Sequence, residues 1–569
     1  MKTRILLCLA PLGACVQLDL EPGTFWDGYT VFFNGTIYTD PFEEPVGSLL
    51  VDPAGLVQGA GFELDPAARA DLERVGFRLV DLRGGTAIPG LQDAHGHVSG
   101  LGAALEEVDL VGSTSYAEVI ERIAARAARE PAGTWITGRG WDQTRWPENA
   151  FPDHGALSRA VPDHPVLVRR VDGHAALANA RALELAALLG AEPVPEIEGG
   201  RVLVDESGRV TGVLIDTAMG LVARHVPEGG REQLRRRILL AQDALLAQGL
   251  VCVHDMGIDP EEAELYAQLD ARGELKLRLI SYLYGNGGIA PEVARRFPRA
   301  EDLDPASKLR ILGAKLMMDG ALGSRGAALL APYADAPREV GLLRMSAEDF
   351  ARRVDAVVAA GLQPATHAIG DRANRIVLDV YAERLAADPS FAALRPRVEH
   401  AQIVSAADWS RFDDLGIVAS MQPTHATSDM RWAEARVGPD RVRGAYAWRR
   451  LTADPRRLAF GSDFPVEHPS PLAGLYAART RTDEDGSPSG GWLPDQRLDA
   501  REAVAAFTQG AAWAAREETS RGKLVEGFAC DMTVLSVDPI RCSPAELLSA
   551  EVLFTVVDGE VVYARGHHQ

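Results

Sequence analysis

Ile88-Pro-Gly-Leu-Gln-Asp-Ala-His-Gly-His97 is the stretch on which the fold turns. Pro89-Gly90 makes a turn, Leu91 onward reads as a short strand, and two histidines stand two residues apart at its end. On a strand, side chains i and i+2 share a face. His95 and His97 therefore point to one side and can bind one ion, because neutral imidazole is a standard ligand for zinc and similar metals. The competing reading is two polar residues at a strand end.

Three later segments close in the same way: Gln363-Pro-Ala-Thr-His367, Arg397-Val-Glu-His400 and Leu458-Ala-Phe-Gly-Ser-Asp463. A polar residue at the C-terminal end of an apolar strand is where (β/α)8 barrels keep their catalytic groups. Lys315, near the end of Leu309-Arg-Ile-Leu-Gly-Ala-Lys-Leu-Met-Met-Asp319, is a further candidate. A cationic lysine repels a metal; a lysine carboxylated by CO2 is an anion able to bridge two ions. A lysine paired with Asp319 or another carboxylate is the alternative, and the bare residues favour it.

The segments between these strands alternate with amphipathic helices, for example Ala347 to Ala360 and Asn374 to Ala386. That alternation predicts an α/β chain: parallel strands with crossover helices, ending near His97, His254, Tyr284, Lys315, His367, His400, Gln422 and Asp463. Eight such strands make a TIM-type barrel over residues 88–514, with 109–235 inserted after the first strand. The insertion carries its own strands and a hairpin turning at Ser207-Gly208. Strand-like segments at both termini, 26–87 and 515–569, are expected to pair into a composite β-sandwich. Within it, Asn34-Gly35 predicts a hairpin.

The 569 residues carry 59 basic and 80 acidic side chains, a net charge of −21. So acidic a chain excludes a broad basic footprint for nucleic acid. The five cysteines lack C-x-x-C spacing, so neither a disulfide framework nor a thiolate zinc site is indicated. At the N-terminus Lys2 and Arg4 precede a short apolar run and Leu12-Gly13-Ala14-Cys15. That order reads as a lipoprotein-type signal peptide over 1–14 with lipidation at Cys15. It places the mature chain at a bacterial cell envelope, facing the periplasm or exterior, with the membrane touched only through that anchor. A cytoplasmic chain with a frayed N-terminus is the alternative.

Pro89-Gly-Leu-Gln-Asp-Ala-His-Gly-His97, Lys315, His367, His400 and Gly461-Ser-Asp463 together resemble the amidohydrolase superfamily. Gly140-Trp-Asp-Gln-Thr-Arg-Trp146, Arg170-Val-Asp-Gly-His-Ala175, Val253-His-Asp-Met-Gly257 and Asp319-Gly-Ala-Leu-Gly-Ser-Arg325 narrow the resemblance to its YtcJ-like (amidohydrolase 3) members, related to N-substituted formamide deformylase. The resemblance runs from about residue 28 to the end. It implies that His95 and His97 bind the more buried metal with Asp463, that His367 and His400 bind a second, and that a carboxylated Lys315 bridges them. One or two divalent ions are implied, zinc first, with Mn, Fe or Co as alternatives.

The mechanism then follows. Water is activated at the metal centre, with Asp463 as general base and later as donor to the leaving nitrogen. His174, in the insertion, is a second catalytic candidate; a hydrogen-bonded loop histidine is the competing reading. Trp141, His254, Arg325, Arg372 and His425 are candidate substrate contacts, with surface ion pairing the duller reading for the two arginines. The expected activity is hydrolysis of a C–N bond in a small amide, N-acyl or N-formyl compound. The alternatives are an ester or carbamate hydrolase, a deaminase using the same centre, or a non-catalytic ligand-binding envelope lipoprotein. Oligomeric state is left open.

Overall fold

The structure is a computed structural model; it describes residues 28–143, 146–170, 175–191, 193–195, 197, 200–227, 229–287 and 306–566, and the backbone of 3–9 and 14–20. The side chain of Cys15, and all of His174, lie outside the described residues. Thr3–Leu9 and Ala14–Leu20 pair as an antiparallel ribbon. No helix among the described residues is long and apolar enough to cross a membrane.

The central element is an eight-stranded, all-parallel sheet. Its strands are β1 (Leu91–Gly96), β2 (Leu250–Ile258), β3 (Arg278–Tyr284), β4 (Leu309–Met317), β5 (Gln363–Ala368), β6 (Arg397–His400), β7 (Val418–Met421) and β8 (Leu458–Phe460). Neighbours in space follow sequence order, as crossover helices require. The ring closes just past β8. There the Asp463 N–H donates to the His95 carbonyl at 2.7 Å, and the His97 N–H donates to the Phe464 carbonyl at 2.9 Å. The chain is thus a TIM-type barrel.

The expected strand ends fall within a few residues of the observed ones, and strands such as Leu91–Gly96, Gln363–Ala368 and Val418–Met421 are buried along their whole length. The crossover helices are set by local caps. Ser346 accepts from the Asp349 N–H at the start of Ala347–Ala359, and Asp259 accepts from the Glu262 N–H at the start of Pro260–Ala271.

A second eight-stranded sheet joins the two ends of the chain: Met532–Leu535 runs antiparallel to Thr86–Pro89, with Met532 opposite Pro89. Its apolar face holds Phe32, Ile37, Leu49, Val57, Val534 and Phe554. One expectation fails here. Asn34-Gly35 is not a hairpin turn but a kink within a single strand, Thr30–Ile37. That strand pairs with Arg78–Asp81 before the kink and with Thr86-Ala87 after it. Asn34 takes a positive φ of 57° and its amide donates to the Asp81 carboxylate at 2.7 Å. A Cβ on Gly35 would lie 2.7 Å from the Gly85 carbonyl. The dipeptide's left-handed preference is used to change partners rather than direction.

Residues Ser99–Ala241 form a separate compact unit. Its sheet has six strands, from Val108–Asp109 at one edge to Gly200–Val204 at the other, and includes Val166–Arg170. Gly200–Val204 and Val210–Asp216 make the expected hairpin, with Gly208 at φ 82° in its turn.

Candidate metal centre

Strand alternation sends Asp93 and His95 of β1, and His97 just past its end, to one side, and the contacts show that this side is the barrel interior. The His95 Nδ1 donates to Glu399 Oε2 of β6 at 2.6 Å, and its Nε2 lies 3.5 Å from Asp463 Oδ1 and 3.0 Å from Lys315 Nζ. His97 Nε2 lies 3.1 Å from the same Asp463 oxygen. His400 and His367 complete the group, their rings 4.7 Å apart, with His400 also 4.7 Å from His95. Ligand atoms of His95, His400 and Asp463 all lie within 4.8 Å of one another. The structure therefore brings together His95, His97, Lys315, His367, His400 and Asp463.

Two of these residues are aimed by strained backbone. Alternation along β6 would turn His400 away from the face shared by Arg397 and Glu399. Positive φ at His400 (74°) and Ala401 (41°) turns the chain, and Asp463 likewise sits at φ 60°. Such conformations cost of order 1–3 kcal/mol each and persist where the surroundings impose them. Part of that constraint is Asp93. Its buried carboxylate accepts from the His95 N–H (3.0 Å), the Ser462 N–H (3.1 Å) and the Ser462 hydroxyl (2.6 Å), joining β1 to the turn before Asp463. Gly461 permits this approach, since a Cβ there would lie 2.4 Å from Asp93 Oδ1.

The electrostatics suit a cation site. Burial, then Lys315, pushes His95 down to about 4, and burial pushes Lys315 down to about 8. Burial, then His367, also holds His400 well below the usual histidine range. Burial opposes ionisation of Asp463, yet His95, His97 and His400 hold it well below the usual carboxylate range. Neutral imidazoles around a carboxylate form a donor set for a divalent ion such as zinc. The donor set also carries orphaned nitrogens: the Nε2 atoms of His367 and His425 are buried without a hydrogen-bond partner. A buried polar nitrogen left unpaired is costly, and a metal ligand is one resolution. The residues therefore fit a metal.

The second-rank candidates divide. His425 belongs to the cluster, its Nε2 3.9 Å from Asp463 Oδ2 and its ring stacked over His400. His254 presents no exposed surface to a substrate, and its Nε2 is also buried without a hydrogen-bond partner. It is fully buried in the barrel, where its Nδ1 accepts from Arg397 at 2.9 Å. Trp141 is likewise a correction: it is fully buried in the core of the Ser99–Ala241 unit, and its indole donates to the Val168 carbonyl at 2.9 Å. Its size and apolarity put it inside. Arg325 is committed to Asp335 through two contacts of 3.2 and 2.9 Å, and Arg372 is exposed in the first turn of the helix Asp371–Ala387. Asp319 is not the partner of Lys315. It accepts from the N–H groups of Ala328, Ile369 and Gly370 and lies 3.4 Å from His367 Nε2.

The sequence reading missed Asp93, Arg397, Glu399 and Gln422, whose Oε1 accepts from His400 Nδ1 at 2.8 Å. One signal was available: Arg397 and Glu399 alternate inside a strand that is otherwise apolar. Their partners, however, are hundreds of positions away.

An eight-stranded barrel with this cluster at the C-terminal ends of its strands defines a metal-dependent hydrolase. Residues 78–563 match the amidohydrolase family, and the chain belongs to it. It is 30% identical over 497 residues to YtcJ of Bacillus subtilis (strain 168), which carries an amidohydrolase name, covering 85% of this chain and 90% of that one. It is 28% identical over 524 residues to N-substituted formamide deformylase of Arthrobacter pascens, covering 90% and 93%. A crystal structure of an uncharacterized metal-dependent hydrolase from Pyrococcus furiosus superposes with a TM-score of 0.71 at 29% identity, covering 90% of this chain and all of that one.

Proposed function

We propose that this hydrolase cleaves a C–N bond in a small amide, N-acyl or N-formyl compound. The observation that carries the reading is the meeting of Asp463 with four histidines and Lys315 at one end of the barrel. The N-substituted formamide deformylase relative supports the bond type. His95, His97 and Asp463 would hold one ion, and His367 and His400 the other, with zinc the first choice for nitrogen and carboxylate donors. A bound dication lowers the pKa of water from about 15.7 toward about 7 and polarises a carbonyl oxygen.

The remaining steps fall to the chain. Asp463 Oδ1 and Oδ2 lie 3.1 and 3.9 Å from His97 and His425, and this carboxylate would take a proton from the attacking water. The same group returns that proton to the leaving nitrogen. Lys315, with its amine pushed down to about 8 by burial, would add to CO2. Its neutral Nζ forms the N–C bond, one proton leaves, and the resulting carbamate is an anion suited to two ions.

The deciding experiment is a hydrolysis screen of metal-loaded protein over amides, N-formyl amines, carbamates and esters, with metal content measured on the same sample. Turnover of amides or N-formyl amines with about two metals per chain is expected. Turnover of esters alone, or protein devoid of metal, overturns the reading. We further propose, on Lys2, Arg4 and Leu12-Gly-Ala-Cys15, a lipid-anchored envelope enzyme. Cys15→Ser is then expected to move the protein from the membrane to the soluble fraction; unchanged fractionation sinks that proposal.

A further inference from the structure

Beneath the metal-binding cluster lies a fully buried ion pair that the proposed chemistry does not use. Arg397 and Glu399 both have 0% of their side chains exposed. They alternate on β6 and so share the inner face of the barrel. The carboxylate takes the guanidinium on both oxygens: Arg397 Nε donates to Oε1 at 2.5 Å, and Nη2 donates to Oε2 at 3.0 Å. Oε2 also accepts from His95 Nδ1 at 2.6 Å.

The rest of the guanidinium is spent on other strands. Nη1 donates to His254 Nδ1 of β2 and to the Tyr282 hydroxyl of β3, both at 2.9 Å. Nη2 donates to the Ala94 carbonyl of β1 at 2.8 Å and to the Ser420 hydroxyl of β7 at 2.9 Å. Tyr282 in turn donates to Gln363 of β5 at 2.6 Å. One side chain therefore ties five other barrel strands, four directly and one through Tyr282, to the carboxylate that holds His95.

Taking an ion pair out of water costs several kcal/mol per ion, and well-packed apolar residues often serve stability as well. A pair so placed calls for a reason other than stability. The geometry supplies one. An ionised carboxylate can only accept, so the His95 proton must sit on Nδ1, leaving the Nε2 lone pair aimed at Asp463 and Lys315. A metal-binding histidine is oriented and made more basic by such a partner. A free carboxylate in this position could rotate; one forked by a guanidinium that is itself anchored on the surrounding strands cannot.

We propose that Glu399 and Arg397 are positioning residues for the metal centre: Glu399 fixes the ring and tautomer of His95, and Arg397 fixes Glu399. Neither touches substrate. The proposal rests on the metal-dependent reading above.

The test uses Co2+ as the probe on the full chain, reading its affinity by chelator competition and its visible absorption. Glu399→Gln keeps the size but loses the charge and one acceptor. It is expected to weaken Co2+ binding by about 10–100-fold and to alter the absorption, and, because it leaves the buried Arg397 charge without its partner, to lower the melting temperature of the metal-free protein as well. Arg397→Lys keeps the charge but not the fork, and is expected to fall between Glu399→Gln and wild type. Should Glu399→Gln fail to fold, the Arg397→Met/Glu399→Gln pair leaves no buried charge unmatched and carries the same expectation. Wild-type Co2+ affinity and spectrum in a folded variant overturn the proposal alone. A wild-type chain that takes up no Co2+ overturns the metal reading and the proposal with it.

Discussion

The two ends of the barrel both gather ionisable side chains, and they treat them in opposite ways. At the C-terminal end, His95, His97, Lys315, His367, His400 and Asp463 converge, and nitrogens such as His367 Nε2 have no hydrogen-bond partner. At the N-terminal end Asp558 and Asp531 are ion-paired with arginines and a lysine. Asp558, in the turn after Val552–Val557, accepts from Arg278 Nη2 at 2.8 Å, from Arg521 Nη1 at 3.3 Å and from Lys308. Asp531 accepts from Arg521 at 2.8 Å and lies 3.6 Å from Arg278. A cavity of about 720 Å3 opens beside this network, yet Arg278, Lys308, Arg310, Arg521, Glu517 and Asp558 along it are paired with one another. Neutral imidazoles around a carboxylate are poised for a cation; charges paired with one another fasten the terminal sheet to the barrel. This follows the general division of such barrels into a catalytic and a stabilising face.

Substitutions at the two ends should therefore trade places in their effects. The largest expected effect is on Asp463→Asn, which should lower kcat/KM on whatever substrate the screen yields by roughly 10^4-fold, near the top of the range for a lost general acid–base. The melting of its metal-free form should stay close to wild type. A variant that retains full activity breaks the comparison at its catalytic end. Asp558→Asn should do the reverse. It leaves three cations short of a partner and should destabilise the fold by about 2–4 kcal/mol in denaturant titration, with kcat/KM within about twofold of wild type. Lost activity in a fully stable Asp558→Asn protein would mean that the stabilising end is coupled to the chemistry.

The Asp558 effect should also depend on pH. Burial opposes its ionisation, but Arg278, Arg521 and Lys308 hold its carboxyl far below the ordinary range. A depressed folded value means that the stabilisation is present above the unfolded value of about 3.9 and is lost as pH falls. Between pH 5 and pH 3 (bounds taken as about one unit either side of that value), wild-type stability should fall more steeply than that of Asp558→Asn; parallel curves would remove Asp558 from the account. The smallest effect is expected at Arg325→Ala. That arginine pairs with Asp335 on a partly exposed surface, so its loss should leave stability close to wild type and KM within about twofold. A large rise in KM would restore it as a substrate contact.

Much of the catalytic end was legible in the sequence because the period of a strand is local. H-x-H at 95 and 97, and the polar residues closing apolar runs at 367, 400 and 463, can be read from neighbours alone. The same rule failed at Asn34-Gly35, where local turn preference serves a strand that changes partners. It failed again at Trp141, whose composition marks a large apolar side chain but not which surface it meets. The stabilising end was not legible at all, since Arg278 and Asp558 lie 280 positions apart and look like ordinary surface charges.

By itself, then, the sequence determined the alternation of strands and helices, the strand-end residues and the resemblance to amidohydrolases, because each rests on spacing within a few residues. Only the tertiary structure decided which of those residues share a site and which are held by others. Whether His95 is backed by Glu399, whether Lys315 faces Asp319 or His95, and which charges stay unpaired are set by closure of the barrel. That closure brings positions 95 and 463 within 3.5 Å, through contacts that no local pattern encodes.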